Sequence, residues 1–291
     1  EDAAPRRATF LIEGEDWELV SDGHGFNEGV TPGALGEVYF TDLQDSKIFR
    51  IDAEGETKLI ASDTGQANGL MMSPDGRLIA CANGKKQIVA YSDAASSSSL
   101  SAPQVLASNV TSNDVCVRHD GLIFWTSPKT KQVMRLFPGQ STPTAVATVP
   151  GCNGIVFSPD QTQLYVTDFR GRMAYVMQVT DDGQVQHVQP YLYVHLPNRI
   201  AIASNDGMTV DTEGYVYVAT RLGVQICDQP GRVHLIIPPP TGARYPANLC
   251  FGGPDFNYLY AACGDKVFRR RLSRTGAVSW REPVTPPKPR L

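Results

Sequence analysis

The sequence of 291 residues has no apolar run that approaches the roughly 20 residues of a membrane-spanning helix. It also has no excess of positive charge, because 26 Lys and Arg residues stand against 30 Asp and Glu residues and both signs are scattered. We therefore expect neither a nucleic-acid partner nor a membrane partner. The chain begins with Glu1 rather than Met and shows no signal segment. The compartment stays open, with a periplasmic or secreted location favoured over the cytoplasm.

Cysteine and histidine patterns typical of metal sites are absent too. None of the six cysteines forms a Cys-x-x-Cys pair, and the five histidines are not placed to complete a zinc site. Most of the cysteines lie in or beside apolar stretches. We therefore expect buried free thiols rather than disulfides or zinc ligands at Cys81, Cys116, Cys152, Cys227, Cys250 and Cys263.

The chain has no sustained helical periodicity, but one layout recurs six times. In each copy a polar residue stands eight positions before a turn residue, and the turn opens a short strand of alternating aromatic and aliphatic residues. We call the six polar residues the ring residues: Glu28, Asn68, Asn113, Asn153, Asp206 and Asn248. They are separated by 40, 45, 40, 53 and 42 residues, the period of a four-stranded propeller blade. Helical arrays can share this period, but alternation at period two favours strands.

These repeats predict an all-β fold: a six-bladed β-propeller of four-stranded blades in a single domain spanning residues 1–291. Residues 1–8 are expected to be a loose arm and residues 281–291 an extended tail. Residues 17–20 have the composition of an outer strand, whereas the last repeat lacks such a strand. We expect this N-terminal strand to complete the last blade and close the ring. Residues 185–202 are interpreted as an outer strand plus an insertion that shades the channel mouth.

Equivalent residues in six copies around an axis lie at one radius and one height, so the ring residues are expected to line one mouth of the central channel. Two of them are carboxylates and four are amides. Two buried carboxylates without compensation are costly, and a hard divalent cation removes that cost. Such a cation prefers carboxylate and amide oxygens. The ring therefore predicts one divalent cation, with Ca²⁺ favoured and Zn²⁺, Mg²⁺ or Mn²⁺ as alternatives. In the competing interpretation, the ring only hydrogen-bonds channel water.

Short phrases around the ring residues carry a family resemblance that spans residues 27 to 255. These phrases are Asn27-Glu28-Gly29, Asn68-Gly69-Leu70, Ser112-Asn113-Asp114-Val115, Cys152-Asn153-Gly154-Ile155, Asn205-Asp206-Gly207-Met208 and Phe251-Gly252-Gly253-Pro254-Asp255. In this order and spacing the chain resembles the senescence marker protein/gluconolactonase/luciferin-regenerating-enzyme family of calcium-dependent six-bladed β-propellers.

The resemblance implies roles for several ring residues. Glu28, Asn153 and Asp206 would ligate one divalent cation, and Asn113 would be a fourth ligand or would hold substrate or water beside it. Asp206 would also be the general base, or would anchor the attacking water. Asn68 and Asn248 receive no ligand role and are expected to satisfy backbone groups. Some sugar-acid lactonases of the family have an Arg two positions before Asn113, where this chain has Thr111. That departure weakens gluconolactone itself as the substrate.

Two further residues are candidates to line a substrate pocket. Trp125 and Arg221 lie at strand ends near the predicted mouth, and Thr111 occupies the position of the family's Arg. Core packing is the alternative interpretation for Trp125, and a surface salt bridge is the alternative for Arg221.

The resemblance implies a metal-dependent hydrolase, a lactonase that opens a sugar lactone by attack of a metal-activated water on the ester carbonyl. A phosphotriesterase-like hydrolase of the diisopropyl-fluorophosphatase type is one alternative, and a non-catalytic binding propeller is another. The expected partner is a small-molecule lactone or ester, and the expected state is a monomer or a weak homo-oligomer.

Overall fold

The structure is a computed structural model that describes residues 9–92, 94, 99–197 and 202–289. It contains 25 strands and a short 3-10 turn at Asn83–Lys85. The strands of the first three blades are β2 (Asn27–Pro32), β3 (Val38–Asp42), β4 (Lys47–Ile51) and β5 (Thr57–Ala61), then β6 (Ala67–Met72), β7 (Leu78–Ala82), β8 (Gln87–Tyr91) and β9 (Gln104–Ser108), then β10 (Val115–Val117), β11 (Ile123–Ser127), β12 (Gln132–Leu136) and β13 (Thr144–Thr148).

The other three blades contain the remaining strands. These are β14 (Cys152–Phe157), β15 (Gln163–Asp168), β16 (Met173–Val179) and β17 (Val185–Tyr193) in blade 4, β18 (Met208–Asp211), β19 (Val216–Thr220), β20 (Gly223–Cys227), β21 (Val233–Ile237) and β25 (Gly276–Ala277) in blade 5, and β22 (Asn248–Gly252), β23 (Tyr258–Cys263), β24 (Lys266–Arg271) and β1 (Glu18–Ser21) in blade 6. Neighbouring strands within each blade pair antiparallel.

The first strands of the six blades form a closed ring around a channel. Strands β2, β6, β10, β14, β18 and β22 contact one another in that cyclic order, and β22 contacts β2 again. Apolar side chains between adjacent blades are fully buried, among them Phe40, Phe124, Trp125 and Tyr217. The predicted six-bladed β-propeller is confirmed. We call the channel end at which the inner strands begin the upper mouth, and the opposite end the lower end.

The N-terminal strand closes the ring, as predicted. Strand β1 pairs antiparallel with β24, with Glu18 opposite Arg269, and these two side chains form an ion pair at 2.8 Å. Phe10 is buried in the same core cluster as Phe268 of β24. The observed strand begins and ends one residue later than the predicted residues 17–20. The predicted arm at residues 1–8 lies outside the described residues.

A segment that follows β24 seals the lower end of the channel. Strand β25 pairs with β18 inside blade 5 and makes it a five-stranded sheet, which the repeats did not predict. Val278 and Ser279 then line a channel cavity of about 40 Å³, and the Ser279 hydroxyl donates to the Val117 carbonyl of blade 3 at 2.6 Å. A ligand of the channel would therefore have to enter from the upper mouth.

The predicted tail continues across the lower face, and no strand is assigned between residues 281 and 289. Arg281 donates to the Ala34 carbonyl of blade 1 at 2.7 Å, whereas the backbone N–H of Val284 donates to the Pro159 carbonyl of blade 4 at 2.9 Å. These contacts tie blades together on the face that lies away from the ring residues.

Three other expectations concern the cysteines, membrane-spanning helices and residues 185–202. All six cysteines are free and buried, as predicted. Over the described residues, no helix is long and apolar enough to cross a membrane. Strand β17 is the outer strand predicted within residues 185–202, but residues 198–201 lie outside the described part, so shading of the mouth stays a prediction.

Candidate active site

Hydroxyl groups on the second strands hold the ring residues at the upper mouth. A threonine of one blade donates to the backbone carbonyl of the next blade's ring residue. The pairs are Thr41 with Asn68 at 3.0 Å, Thr167 with Asp206 at 2.9 Å, and Thr126 with Asn153. Each of these bonds crosses between blades, so neighbouring inner strands are fixed at a common height.

Glycine follows the ring residue in four of the six blades, because the next inner strand comes too close for a side chain. A Cβ atom on Gly154 would lie 2.2 Å from the backbone oxygen of Asp206, and one on Gly29 would lie 1.9 Å from that of Asn68. Neither overlap can be relieved without moving backbone. Glycine at these positions therefore allows the six ring residues to converge.

Blade 3 breaks this glycine pattern and places a third carboxylate in the site. Asp114 follows Asn113, and its Oδ1 occupies the space beside Gly69, where a Cβ would lie only 2.4 Å away. The Val115 N–H donates to the same oxygen at 2.9 Å. From blade 6, across the channel, the Asn248 amide reaches Asp114 Oδ2 at 3.5 Å. Asp114 therefore lies in the channel together with the ring residues.

The sequence interpretation assigned no role to Asp114. A signal for it is present in the repeats, since an acidic residue stands where four other copies have glycine.

The three carboxylates are buried without a cationic side chain beside them. Glu28, Asp114 and Asp206 are only 8%, 7% and 8% exposed. In the described parts of the chain none of them forms an ion pair with Lys, Arg or His. Burial, and then repulsion from Asp206 and Asp114, raises the pKa of Glu28 well above its usual value. Burial and repulsion from Asp114 do the same to the pKa of Asp206, and burial raises that of Asp114 to about 7.

Amide groups of the ring contact the carboxylates directly. The side chain of Asn153 donates to Asp206, and that of Asn248 donates to Glu28. Both bonds favour the ionised acids, but the effect of burial outweighs them in the pKa. The Leu249 N–H also donates to Asn248 Oδ1 at 2.8 Å. Asn248 therefore satisfies a backbone group, as expected, and its side chain also interacts with the carboxylates.

The chemistry of these side chains fits a hard divalent cation. No three His, Cys, Asp or Glu side chains within the described residues are grouped so as to hold a metal ion by themselves. A cation at the mouth would therefore need amide oxygens in addition to carboxylates, and the ring supplies both. Calcium in particular accepts mixed carboxylate and amide oxygens in variable number. No cationic side chain of the described residues balances the negative charge of Glu28 and Asp206. This unbalanced charge favours the binding of a divalent cation.

The structure brings the four predicted metal ligands to the same mouth. Glu28 and Asp206 interact electrostatically, and Asn153 bonds to Asp206. Asn113 stands two residues before β10 and is partly exposed, and its carbonyl accepts the Gly69 N–H at 2.8 Å. Their roles as ligands stay predictions.

The other predicted substrate residues are placed differently. Trp125 is fully buried in the core between blades, and its indole N–H donates to the Thr111 carbonyl at 3.3 Å. Contact between Trp125 and a substrate therefore gains no support from the structure, which favours core packing. Thr111 is partly exposed and its hydroxyl bonds to that of Ser127. Arg221 is exposed at the upper face and forms no ion pair among the described residues.

Solved structures of similar proteins share this fold. A gluconolactonase from Xanthomonas campestris is 23% identical and superposes with a TM-score of 0.77, covering 93% of each chain. Regucalcin from Agrobacterium tumefaciens, described as a calcium-binding protein, is 16% identical with a TM-score of 0.73, over 93% of this chain and 97% of that one. At these identities the likeness shows the fold.

Sequence comparison gives the family. The pentonolactonase XacC of Haloferax volcanii is 28% identical over 231 residues, which cover 77% of this chain and 76% of that protein. Residues 26–263 match the sequence profile of the SMP-30/Gluconolactonase/LRE-like region, an interval that contains all six ring residues and Asp114. The chain belongs to the SMP-30/gluconolactonase/LRE-like family.

Proposed function

We propose that this protein is a metal-dependent lactonase that hydrolyses a sugar lactone to the open hydroxy acid. One observation carries the proposal: three buried carboxylates, Glu28, Asp114 and Asp206, meet amide groups at the upper mouth, and no cationic side chain of the described residues pairs with them. Strongly perturbed carboxylates in a concave site are typical of catalytic centres. Family membership and the names of a pentonolactonase and a gluconolactonase among the similar proteins support the choice of lactone.

Glu28, Asn153 and Asp206 would hold the cation, with Asn113 as a fourth ligand or as the neighbour that orients substrate. Calcium is the proposed ion, since these ligands offer only oxygen. When bound, the ion supplies Lewis-acid polarisation of the ester carbonyl and stabilises the negative charge that develops there.

Asp206 is the proposed general base. The amide of Asn153 donates to this carboxylate and so fixes its orientation. Burial raises the pKa of Asp206, and a carboxylate with a raised pKa is a stronger base once it is ionised. Asp206 accepts one proton from water as the oxygen of that water attacks the lactone carbonyl. The ring C–O bond then breaks, and its alkoxide oxygen takes up a proton to give the hydroxyl of the product.

The substitution Asp206→Asn tests this assignment, because the amide keeps the shape but cannot accept the proton. We expect kcat for simple γ- and δ-lactones to fall by about 10²- to 10⁴-fold, the usual loss for a general base. Asp168→Asn is a matched control. Asp168 is also an upper-face acid, but its carboxylate accepts the backbone N–H groups of Arg170 and Gly171, so this variant should keep the activity of the wild type.

Assays with and without chelator, and with a fluorophosphate ester in parallel, separate the competing functions. Chelation should abolish lactone opening, and added calcium should restore it. Turnover of the fluorophosphate alone would favour the phosphotriesterase alternative. Asp206→Asn protein that binds calcium normally and keeps the full rate would show that Asp206 is not the base.

A further inference from the structure

Two arginines at the upper face are held beside the candidate site without acidic partners. We propose that Arg221 and Arg244 bind an anionic group on the substrate, so that the substrate is a lactone bearing a carboxylate or a phosphate. This inference rests on the proposed lactonase function and narrows its substrate class.

Arg221 follows strand β19 and is held by residues that stand shortly before Asp206 in the sequence. Its backbone N–H donates to the Ala203 carbonyl at 3.1 Å, and its Nε donates to the hydroxyl of Ser204 at 2.8 Å. Ser204 is fully buried and stands two residues before Asp206. The guanidinium also lies 5.4 Å from the ring centroid of Tyr245. Arg221 is therefore exposed but held from two sides.

Arg244 is held by packing contacts with residues near Glu28. Its guanidinium lies 5.6 Å from the ring centroid of Phe26, which stands two residues before Glu28. Its aliphatic part crosses Gly264, where a Cβ would come within 2.7 Å of Arg244 Cδ. The Gly264 carbonyl accepts the Asn27 N–H at 2.7 Å, which links this contact to the strand that carries Glu28.

Both arginines lie on one sector of the rim. The loop between β21 and β22 contributes Arg244 and Tyr245, and it spans from the blade of Asp206 to the blade of Asn248. Tyr245 contacts Arg221 on one side, and Arg244 contacts Phe26 of the first blade on the other. The two cations therefore lie on the upper face at blades 5, 6 and 1, the blades that carry Asp206, Asn248 and Glu28.

Neither guanidinium is neutralised by the protein. Within the described residues, no Asp or Glu forms an ion pair with Arg221 or Arg244, including the exposed Asp265 beside Gly264. By contrast, Arg269 and Arg270 of strand β24 both pair with acids of the N-terminal segment. An arginine that is held in place, and whose guanidinium is not paired with an acid, is suited to bidentate binding of a carboxylate or a phosphate.

The negative charge of the carboxylates at the site explains why an anionic substrate needs cationic side chains nearby. An anionic substrate that approaches Glu28, Asp114 and Asp206 meets like charge, even after one divalent cation has bound. Cations on the rim offset that repulsion and attract the substrate to the mouth. Two arginines on one sector also orient the substrate, because its anionic end must lie at blades 5 to 1 while its ester reaches the ring residues.

Three probes and three variants test the inference. The probes are glucono-lactone, which is neutral, a glucaro-lactone with a free carboxylate, and 6-phosphoglucono-lactone. The variants are Arg221→Gln, Arg244→Gln and their combination. Arg172→Gln is the matched control, because Arg172 is also exposed and lies 5.0 Å from a tyrosine centroid, but that tyrosine is Tyr193 of the outermost strand β17.

We expect the wild type to prefer one anionic lactone over the neutral lactone, and the preferred probe distinguishes carboxylate from phosphate. Each single substitution should raise KM for that probe about tenfold, the worth of one charge-assisted hydrogen bond, and leave kcat nearly unchanged. Glucono-lactone kinetics and the Arg172→Gln enzyme should stay within about twofold of the wild type. Added salt should weaken binding of the anionic probe alone.

Equal KM values for both anionic probes in the wild type and the double variant would overturn the inference while leaving the lactonase proposal intact. If no lactone is opened, the lactonase proposal fails, and calorimetric binding of glucarate, 6-phosphogluconate and gluconate to the same proteins still tests the arginines. Arginine-dependent binding of an acid in that assay would support the anion site, and binding that ignores both substitutions would refute it.

Discussion

The upper and lower faces of the propeller both bury acidic side chains, but among the described residues only those of the lower face have a cationic partner. At the lower end, Asp211 is fully buried and receives a complete set of partners. Arg274 Nε lies 2.9 Å from Asp211 Oδ2, and the Tyr217 hydroxyl donates to the same oxygen at 3.0 Å. At the upper mouth, Glu28, Asp114 and Asp206 are nearly as deeply buried and have no cationic side chain among the described residues.

The difference lies in what opposes the effect of burial on the pKa of these acids. Burial raises the pKa of Asp211, and hydrogen bonding and charge attraction from Arg274 oppose that rise. The chain therefore already stabilises the lower carboxylate. At the upper mouth only amides and backbone N–H groups oppose burial, so the protein is left with charge that a ligand can satisfy.

Deleting residues 1–21 should have the largest effect, because it damages the lower end and opens the ring. Phe10 lies 5.1 Å from the Arg274 guanidinium and is buried in the core cluster, and β1 covers the edge of β24. Loss of one large buried aromatic alone costs about 3–5 kcal/mol, and an unpaired strand edge adds to that. We expect no cooperative thermal unfolding transition.

Deletion of residues 1–8 is the control and should leave the melting temperature unchanged. Equal melting temperatures for the two truncated proteins would mean that β1 is dispensable for closure. The last blade would then be held by the lower segment around Val278 and Ser279 alone.

Arg274→Met should destabilise the protein strongly while leaving the upper mouth intact. The substitution leaves Asp211 buried with Tyr217 as its side-chain partner, and breaking a buried ion pair in this way costs about 3–5 kcal/mol. Urea unfolding measures the loss. Arg271→Met is the control, since Arg271 is exposed on β24 and should cost little. At a temperature where both proteins are folded, lactone turnover should match that of the wild type. A large drop in kcat would show that the two ends are coupled.

The sequence was sufficient to predict the elements that repeat. Six copies of one layout predicted the blades, the ring residues and the unpaired strand near Glu18, because equivalent positions around an axis must share their surroundings. Asn153 and Asp206 contact one another as that symmetry requires. The sequence therefore predicted which side chains lie at the mouth. It did not predict the hydrogen bonds that each of them makes.

The features that depart from the repeat could not be predicted in this way. Strand β25 belongs to no repeat and finds its place by pairing with β18. Asp114 stands in blade 3 where four other blades have glycine. The Arg221 environment depends on Ser204 and Tyr245, which lie in loops of blade-specific length, and periodicity holds no information about such loops.

The smallest expected effect concerns the pH dependence of stability at the upper mouth. Burial raises the pKa values of Glu28 and Asp206, and that of Asp114 to about 7, in the metal-free protein. The folded state then binds more protons than the unfolded state between pH of about 4 and about 7. The contribution of these three acids to stability should therefore be greatest at the acid end of this window and should fall as the pH rises through it. The melting temperature in chelator should drop by about 5 °C between pH 5 and pH 8.

Calcium should reverse this trend, because it favours the ionised carboxylates. At about 100 times its dissociation constant a ligand adds about 2.7 kcal/mol, and the gain should be larger at pH 8 than at pH 5, where protons compete for the same oxygens. Asp114→Asn removes one of the three acids and should flatten the curve measured in chelator. Arg271→Met should keep its slope, since Arg271 is exposed on β24 and forms no ion pair among the described residues. A melting temperature that is independent of pH in chelator, with no calcium effect at pH 8, would show that Glu28 and Asp206 do not hold the cation.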